Sequence, residues 1–363
     1  MLNGKSLTIN HILKGEYEHD RLTSFEQKTL EFIKAYLSDQ TEFSFYTSGS
    51  TGNPKEITFQ KNQLKKSALR TNSIFGLVSG STILCCLNTD FVAGKMMLIR
   101  ALEGDLNLII QTPSSNPLQD IDEEHFIDFI ALTPLQIDRI LAESPQKIAS
   151  IKNILIGGAM LHPLTEEKLQ RQKAQIWHSY AMTETLTHVA LRHVNGTEKS
   201  LAFHALPGVS FNVDARNCLV IKDQVLGIEQ LISNDIVELI DEKSFRWIGR
   251  YDNVINSGGI KIRFEETENR INEILKEVKI NHPICLISLP DDRLGEKLVL
   301  LIETKESEFN ESDVKNILKE KLPKFHDPKV ILSVPKLMLT TNGKIDRIRN
   351  KNFYLENKIS RYK

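Results

Sequence analysis

The sequence predicts an α/β fold in which a mostly parallel sheet is covered by helices. Two observations support this prediction. From Glu42 onward, apolar runs of strand length alternate with segments of helical periodicity, as in repeated βα units. The same alternation restarts on a smaller scale after Gly249. We therefore expect a large N-terminal α/β domain over residues 1–250 and a small α+β domain over residues 251–363.

The elements of the large domain are short apolar strands separated by longer segments of helical character. The predicted strands lie at 42–45, 81–87, 106–110, 126–132, 153–156 and 175–180. The predicted helices lie at 93–102, 134–142 and 165–172. Two polar loops, 47–55 and 181–184, directly follow predicted strands. Because ligands bind beyond the carboxyl ends of parallel strands, we expect both loops to contribute to one site.

The small domain begins with an amphipathic helix. Its apolar residues recur at spacings of three and four and are Ile271, Ile274, Leu275 and Val278. Strands are predicted at 284–289, 298–303 and 330–334, and a second helix at 313–321. The pattern is typical of a compact unit with its own core.

The composition is ordinary for a soluble protein, and we expect it in the reducing cytoplasm. The 46 basic and 47 acidic residues leave a net charge of −1, which gives no reason to expect nucleic acid or an anionic membrane as a partner. No apolar stretch approaches the roughly 18 residues of a membrane span. The four cysteines lack zinc-ligand spacing and are expected to be buried free thiols: Cys85, Cys86, Cys218 and Cys285.

The segment 46–55 reads Tyr-Thr-Ser-Gly-Ser-Thr-Gly-Asn-Pro-Lys and has the chemistry of a polyphosphate-binding loop. Its glycines let backbone N–H groups approach an anion, its hydroxyls donate to phosphate oxygens, and Lys55 adds a positive charge. It is not a Walker A loop, because Asn53 and Pro54 separate Gly52 from the lysine. Taken alone, it also suits an ordinary polar loop.

Further blocks follow in order, and together they resemble the adenylate-forming superfamily of acyl-CoA synthetases, peptide-synthetase adenylation domains and luciferases. Besides the loop at 46–55, the similar blocks are Tyr180-Ala181-Met182-Thr183-Glu184, Asn234-Asp235, Gly249-Arg250-Tyr251-Asp252, 257–262 and 341–347. Ala181 replaces the glycine usual in the family. Only 45 residues precede Tyr46, so the resemblance also implies a reduced N-terminal subdomain.

The resemblance implies an enzyme that uses ATP and Mg²⁺ to convert a carboxylic acid into an acyl-adenylate, and then transfers the acyl group to CoA. Thr183, Glu184 and Lys344 would act on the reacting groups, with Glu184 holding Mg²⁺. Asp252 would be the hinge of a mobile small domain. The residues that would contact the nucleotide or CoA are Thr47, Ser48, Gly49, Ser50, Thr51, Gly52, Lys55, Gly158, Ala159, Tyr180, Asp235, Arg250, Gly258, Gly259 and Lys261.

Each of these residues has a simpler interpretation when it is taken alone. Glu184 also suits a helix N-terminus, and Asp235 suits a turn. Tyr180 is also compatible with an aromatic residue of the core, and Lys344 with a solvent-exposed lysine in a turn. Gly258-Gly259 also suits an ordinary tight turn.

The segments 93–102 and 183–188, with the short chain, resemble most the o-succinylbenzoate–CoA ligases of menaquinone biosynthesis. Such a substrate keeps a second carboxylate that must find donors or a cation when it is buried. The candidates are Lys95, Arg100, His188 and Arg192. Lys95 and Arg100 are also compatible with positions on the exposed face of a helix. His188 is also compatible with a histidine buried in the core. Two alternatives remain: a ligase for another acid or for a carrier protein, and a non-catalytic nucleotide-binding module.

Lys344 should serve only the first half-reaction. Lys344→Ala should nearly abolish acyl-AMP formation from acid and ATP, because the charge developing at the α-phosphate loses its counter-charge. Thioester formation from presynthesised acyl-AMP should be largely spared. Measuring pyrophosphate release and thioester formation separately checks this, and an equal loss in both would show that the lysine supports folding instead.

Overall fold

The computed structural model describes residues 2, 6–17, 22–46, 55–122, 125–304, 310–340 and 345–361, with only the backbone for residues 357–361. The chain divides into two compact units, which are described separately. The first comprises Met1–Phe211, Ile221–Leu231 and Ile240–Phe245. The second comprises Asn212–Val220, Ile232–Leu239 and Arg246–Lys363. The functional division at residue 250 remains a prediction.

The first unit contains six α-helices and nine strands within the described ranges. The helices are α1 (Ile9–Lys14), α2 (Ser24–Leu37), α3 (Lys61–Ile74), α4 (Val92–Gly104), α5 (Pro134–Glu143) and α6 (Pro163–Leu169). The strands are β1 (Glu42–Tyr46), β2 (Glu56–Gln60), β3 (Thr82–Cys85), β4 (Asn107–Ile110), β5 (Ile127–Leu132), β6 (Ile151–Ile156), β7 (Gln175–Ala181), β8 (His188–His193) and β9 (Phe203–Ala205). Four more strands hold residues of both units: β10 (Val209–Val213), β11 (Cys218–Asp223), β12 (Ile228–Asp241) and β13 (Ser244–Arg250).

The central sheet of the first unit is parallel at its core, as predicted. Its order is β4-β3-β5-β6-β7-β8-β9, with parallel pairing from β4 through β7 and antiparallel pairing from β7 through β9. Strands β5 and β6 are almost wholly apolar because both faces of a parallel sheet are covered. Each fully buried Ile or Leu contributes about 1.5–3 kcal/mol. The predicted fold class is confirmed.

The helices begin where local capping chemistry places them. In α5, the Thr133 hydroxyl accepts from the backbone N–H of Gln136, and the Gln136 side chain accepts from the backbone N–H of Thr133. Pro134 occupies the first helical turn, where its missing N–H has no cost. The helix was predicted at 134–142, and these signals fix its start.

A buried ion pair joins α3 to β11 within the first unit. Arg70 makes a two-pronged contact with Asp223, at 3.0 Å and 2.9 Å, and both side chains are almost inaccessible to solvent. Asp223 also accepts hydrogen bonds from the backbone N–H groups of Val225 and Leu226. The full set of acceptor contacts makes this buried carboxylate tolerable.

The second unit adds an antiparallel sheet with helices packed on it. Its elements are β14 (Val254–Ser257), β15 (Ile260–Arg263), α7 (Phe264–Glu277), β16 (Ile284–Asp291), β17 (Gly295–Glu303), α8 (Glu311–Lys321), β18 (Val330–Val334) and α9 (Arg347–Arg361). The sheet order is β15-β14-β17-β16, and β18 pairs with β17 in parallel. The α7 face predicted from Ile271, Ile274 and Leu275 is buried. Val278 was wrongly included, because the helix ends at Glu277 and Val278 is exposed.

In the part of the chain that the structure describes, no helix combines the length and apolarity needed to cross a lipid bilayer.

Gly94, near the start of α4, has no room for a side chain. A Cβ there would lie 2.4 Å from the Asn88 carbonyl oxygen and 2.8 Å from the Thr89 nitrogen, both backbone atoms. Gly94→Ala should therefore lower the free energy of unfolding by about 1–3 kcal/mol, measured by denaturant titration. Ala93→Ser adds one atom at the exposed neighbouring position and is the matched control. Equal stability of the two variants would contradict the predicted clash.

Candidate active site

The segments predicted to bind adenine follow two neighbouring parallel strands. Gly157 continues from β6 and donates its N–H to the Leu132 carbonyl at 3.0 Å. Gly158 has a φ of +95°, a conformation that favours glycine. On β7, the Ser179 hydroxyl donates to the Ile156 carbonyl at 3.1 Å. The structure thus brings Gly158, with Ala159 after it, to the same edge of the sheet as the end of β7.

A buried histidine holds the carbonyl of Ala159. The Nε2 atom of His178 lies 3.0 Å from that oxygen, and Arg192 Nε donates to His178 Nδ1 at 3.2 Å. Because Nδ1 accepts a hydrogen bond, the neutral ring carries its proton on Nε2 and donates it to Ala159. Burial, followed by the nearby charge of Arg192, lowers the pKa of His178 to about 3. The ring therefore remains neutral at physiological pH.

Arg192 is engaged within the protein rather than presented to a substrate. Its guanidinium forms an ion pair with Glu166, donates to the Ser200 carbonyl at 3.3 Å and packs over the Phe203 ring at 5.6 Å. Together with the bond to His178, these contacts engage all three nitrogens of the guanidinium. Arg192 therefore holds His178, and its role in binding substrate stays a prediction. This partnership was not predicted from the sequence, because it depends on the pairing of β7 with β8.

Tyr180 ends β7 in an aromatic cluster. Its ring meets Phe245 edge-on at 5.1 Å and Phe203 at 6.0 Å. The side chain is buried. After it, Thr183–Thr185 form a short 3₁₀ turn in which Glu184 is partly buried. Within the described ranges its carboxylate makes no hydrogen bond or ion pair, which suits the predicted role as an oxygen ligand for Mg²⁺.

A strained turn follows Glu184 and was not foreseen from the sequence. Leu186 has a φ of 62° and a ψ of −53°, and the Thr187 N–H donates to the Thr185 carbonyl at 2.6 Å. This is a γ-turn in the rare positive-φ form, which costs about 1–3 kcal/mol for a bulky residue. Hydrogen bonds from the Thr185 hydroxyl to the Met182 and Thr187 carbonyls hold it. The turn fixes the short step from Glu184 to β8.

His188 and Arg100 are buried polar residues with unused hydrogen-bonding atoms. Each is only 3% exposed. Among the described residues, His188 Nε2 and Arg100 Nε have no hydrogen-bond partner. Arg100 Nη1 donates to the Met97 sulfur at 3.4 Å, and the guanidinium lies 6.0 Å from the centre of the Phe129 ring. Burial, and then the charges of Arg100 and Arg70, hold the pKa of His188 well below its usual value.

Lys95 lies on the same helix as Arg100 but in a different environment. Its ammonium is 5.2 Å from the centre of the Phe32 ring and 5.3 Å from that of Phe45. Burial lowers its pKa, and Asp90 opposes that shift. Two aromatic faces satisfy this cation, so it has less need of an anionic ligand than Arg100 has.

In the second unit, the predicted hinge residue is held from two sides. Asp252 accepts from Arg250 Nη2 at 2.6 Å, and the Asn234 amide lies 3.4 Å from both of its carboxylate oxygens. Arg216 donates to the Asn234 side-chain oxygen at 3.3 Å and stacks on Tyr251 at 5.0 Å. Arg250, predicted to assist at the ribose, is thus paired with the hinge carboxylate.

The structure also describes the other predicted site residues of the second unit. Asp235 accepts from Trp247 Nε1 at 3.2 Å. Gly258 and Gly259 have φ values of 62° and 87° and form the two-residue turn between β14 and β15, which requires glycine-like conformations. Lys261 is exposed on β15.

Several predicted residues lie outside the described part of the chain. They are Thr47, Ser48, Gly49, Ser50, Thr51, Gly52 and Lys344. Lys55, at the end of the phosphate loop, is described and exposed, just before β2. The roles of all these residues remain predictions.

Comparison with known proteins identifies the family. Residues 8–218 match the family of AMP-binding enzymes. The chain belongs to this family. A similar solved structure is the acyl-CoA synthetase (AMP-forming)/AMP-acid ligase II-like protein from Dyadobacter fermentans, with 34% identity and a TM-score of 0.61 over 93% of this chain and 96% of that one. Membership of this family confirms the prediction that the protein is an adenylate-forming enzyme of the ligase class.

More distant relatives extend the comparison. The 2-succinylbenzoate–CoA ligase of Listeria monocytogenes is 23% identical, covering 91% of this chain and 73% of that protein. Bacitracin synthase 1 of Bacillus licheniformis is 21% identical over 85% of this chain but only 7% of its own length. The ATP-bound structure of MatB from Rhodopseudomonas palustris has a TM-score of 0.74 at 19% identity, covering 86% and 67% of the two chains, and supports the fold alone.

The buried neutral histidine predicts a dependence of stability on pH. Unfolding exposes His178, whose pKa then returns from about 3 to near its ordinary value of about 6.5. Below about pH 6.5, His178 binds a proton in the unfolded state but not in the native state. The free energy of unfolding therefore falls as pH falls. The contribution of one such group approaches about 1.4 kcal/mol per pH unit.

His178→Gln should reduce this slope by about that amount, because glutamine does not titrate. It keeps a side-chain donor for the Ala159 carbonyl. Denaturant titrations of wild type and variant between pH 4.5 and 7.5 would measure the difference. A variant with the same slope as wild type would contradict the assignment of His178 as a buried neutral group.

Proposed function

We propose that this enzyme is an ATP-dependent acid–CoA ligase whose acid is o-succinylbenzoate. Family membership supports activation of a carboxylate as an acyl-adenylate. One observation supports the choice of acid: Arg100 is a buried cation that has no carboxylate partner among the described residues, where its guanidinium meets the Met97 sulfur and the Phe129 ring.

A buried arginine with no anion is energetically costly. Arginine does not lose its proton in proteins, so it cannot escape the cost of desolvation by becoming neutral. Burial lowers the pKa of Arg100 to about 10, which still leaves it charged at physiological pH. The other deeply buried arginines of the first unit are both paired with carboxylates: Arg70 with Asp223 and Arg192 with Glu166. Arg100 is therefore the cation that an anionic ligand would complete.

His188 adds a second donor or acceptor beside this cation. It is neutral, buried and close enough to Arg100 for that charge to lower its pKa. Its Nε2 atom has no partner within the part of the chain described. A guanidinium supplemented by an imidazole N–H suits a carboxylate, which accepts several hydrogen bonds at once.

The acid must therefore carry a carboxylate besides the one that reacts. In o-succinylbenzoate, the succinyl carboxylate is activated and the aromatic carboxylate remains ionised. The relatives named 2-succinylbenzoate–CoA ligase support this choice, at 22–24% identity. A simple fatty acid or a monocarboxylic aryl acid would leave Arg100 without a counter-charge.

ATP, Mg²⁺ and CoA complete the proposed reaction. A structure of the MenE protein from Bacillus subtilis, o-succinylbenzoate coenzyme A synthetase, contains ATP and magnesium. In this chain, Thr47, Ser48, Ser50, Thr51 and Lys55 would hold the outer phosphates. Glu184 would hold the magnesium ion, since its carboxylate has no partner among the described residues.

The two steps proceed by displacement at phosphorus and then at carbon. The succinyl carboxylate oxygen bonds to the α-phosphorus of ATP as the bond to pyrophosphate breaks, with Lys344 stabilising the developing charge. The CoA thiol then loses its proton, its sulfur bonds to the acyl carbon, and AMP leaves. The part played by this chain is to align the acid with the α-phosphate, and the Arg100–His188 pair would hold the other end of the substrate.

The assignment predicts discrimination between a diacid and its monoacid analogue. Pyrophosphate release, followed by CoA-dependent AMP formation, should be much faster with o-succinylbenzoate than with 3-benzoylpropionate, which lacks the aromatic carboxylate. Arg100→Met and His188→Ala should each lower kcat/KM for the diacid about tenfold to a hundredfold. The KM for ATP should change little, and turnover of the monoacid should be nearly indifferent to both substitutions.

Arg100→Met should also stabilise the ligand-free protein, because it removes an uncompensated buried charge. The free energy of unfolding should rise by about 1–4 kcal/mol while activity falls. Met97→Leu removes only the sulfur contact and is the matched control, with activity near wild type. An enzyme that prefers the monoacid, or an Arg100→Met variant with unchanged kinetics, would overturn the choice of o-succinylbenzoate. Other acids or a carrier protein would then be tested as substrates.

A further inference from the structure

A buried hydrogen bond joins helix α3 to the strained turn at Leu186, and the roles assigned so far do not use it. The hydroxyl of Ser67, on α3, lies 2.8 Å from the hydroxyl of Thr187, on the turn. Ser67 is inaccessible to solvent, and Thr187 is nearly so. The contact spans 120 positions of the chain and was not predicted from the sequence.

Apolar packing holds the same turn against the same helix. Leu186 is buried in an apolar cluster that includes Leu64 and Ala68 of α3. Leu64 and Ala68 precede and follow Ser67 in the helix. The helix thus meets the turn with a polar and an apolar contact side by side. A leucine keeps a positive φ only where its surroundings determine the backbone, and these contacts meet that requirement.

Helix α3 is itself fixed close to Ser67. Arg70, less than one turn further along the helix, makes the buried ion pair with Asp223. The Asn72 amide donates to the Arg100 carbonyl of α4 at 2.9 Å. The Ser67 hydroxyl is therefore presented by a helix whose position does not depend on the turn.

The turn connects two residues of the proposed active site. Glu184, expected to hold Mg²⁺, lies two residues before Leu186, and His188 lies two residues after it. The bonds of the Thr185 hydroxyl fix the shape of the turn. They do not fix where the turn lies in the molecule, because their acceptors belong to the same short segment. That placement requires contacts with another element, and α3 supplies them.

We propose that Ser67 is a positioning residue for Glu184 and His188, acting through the hydroxyl of Thr187. This inference rests on the proposed function, in which the carboxylate holds Mg²⁺ and the imidazole binds the second carboxylate of the acid. Loss of the Ser67 hydroxyl leaves the buried Thr187 hydroxyl without its partner and removes a restraint on strained backbone. The turn then relaxes, and the side chains on both sides of it move.

Kinetics of Ser67→Ala test the proposal at both ends of the turn. The kcat/KM for o-succinylbenzoate should fall about tenfold to a hundredfold, the effect of misplacing a functional group by about 1 Å. The Mg²⁺ concentration for half-maximal pyrophosphate release should rise up to about tenfold, as for residues that orient a metal ligand. A change in only one of these two parameters would overturn the proposal that Ser67 positions both residues.

Thr29→Val is the matched control for a loss of stability. The Thr29 and Thr89 hydroxyls also lie 2.8 Å apart in a buried contact, one that does not include the turn. Thr29→Val should lower the free energy of unfolding about as much as Ser67→Ala, while both kinetic parameters stay near those of wild type. Ser73→Ala, at an exposed position of α3, controls for the change of serine to alanine in that helix. Equal kinetic losses in Thr29→Val and Ser67→Ala would overturn the proposal.

A double-mutant cycle tests whether the effect passes through Thr187. Thr187→Val keeps the shape of the side chain but removes its hydroxyl. In that background, Ser67→Ala should cause little further loss in either kinetic parameter, because the hydrogen bond is already absent. Losses that add in full would show that Ser67 acts by another route, contrary to the proposal.

Hydrogen–deuterium exchange gives a readout that does not depend on activity. In ligand-free Ser67→Ala, amide exchange should accelerate in the peptides covering residues 182–190, and in Thr29→Val it should match wild type there. If wild type forms no adenylate with o-succinylbenzoate, the choice of that acid fails, and exchange still tests whether Ser67 holds the turn. Unchanged exchange at 182–190 in Ser67→Ala would overturn the proposal even in an active enzyme.

Discussion

The requirement that a buried charge find an opposite charge organises both units of this protein. Removing an arginine from water costs several kcal/mol, and the cost is recovered only by close, well-oriented acceptors. Arg70, Arg192 and Arg347 all meet this requirement with carboxylates and thereby join elements that are distant in sequence. Arg100 does not meet it among the described residues. In the proposed function, the anionic substrate supplies the charge that Arg100 lacks. A site whose charges are already balanced without its ligand would gain less free energy from binding it.

The same constraint explains how the sheet edge is made rigid. Arg192 is held by Glu166 and in turn fixes the proton of His178, which then donates to the Ala159 carbonyl. A few residues further on, the strained turn at Leu186 is held by hydroxyl bonds and by burial. Strain of this kind persists only where the surroundings determine the backbone completely. Both features place the predicted nucleotide-binding segments on supported backbone rather than on free loops.

Sequence reasoning succeeded where one local signal decides the outcome. The apolar runs of β5 and β6 and the Pro134 start of α5 were predicted closely, because periodicity and capping are properties of neighbouring residues. The antiparallel strands between residues 188 and 250 were not predicted from the sequence. The ion pair of Arg192 with Glu166 was not predicted, because the two residues lie on different elements. The phosphate loop and Lys344 remain predictions from motif alone.

The sequence by itself determined the family, the parallel core and the order of the motifs, because these depend on residue type and spacing along the chain. Only the tertiary structure decided which charged side chains are paired with an opposite charge and which are not. Arg100 and Arg192 look alike in the sequence, and a cation is distinguished by what surrounds it after folding. The same holds for Arg347, whose guanidinium is paired with Glu265 and Glu268, two carboxylates some eighty positions away in the chain. Electrostatic energies depend on distance and burial, and neither quantity is written in local sequence.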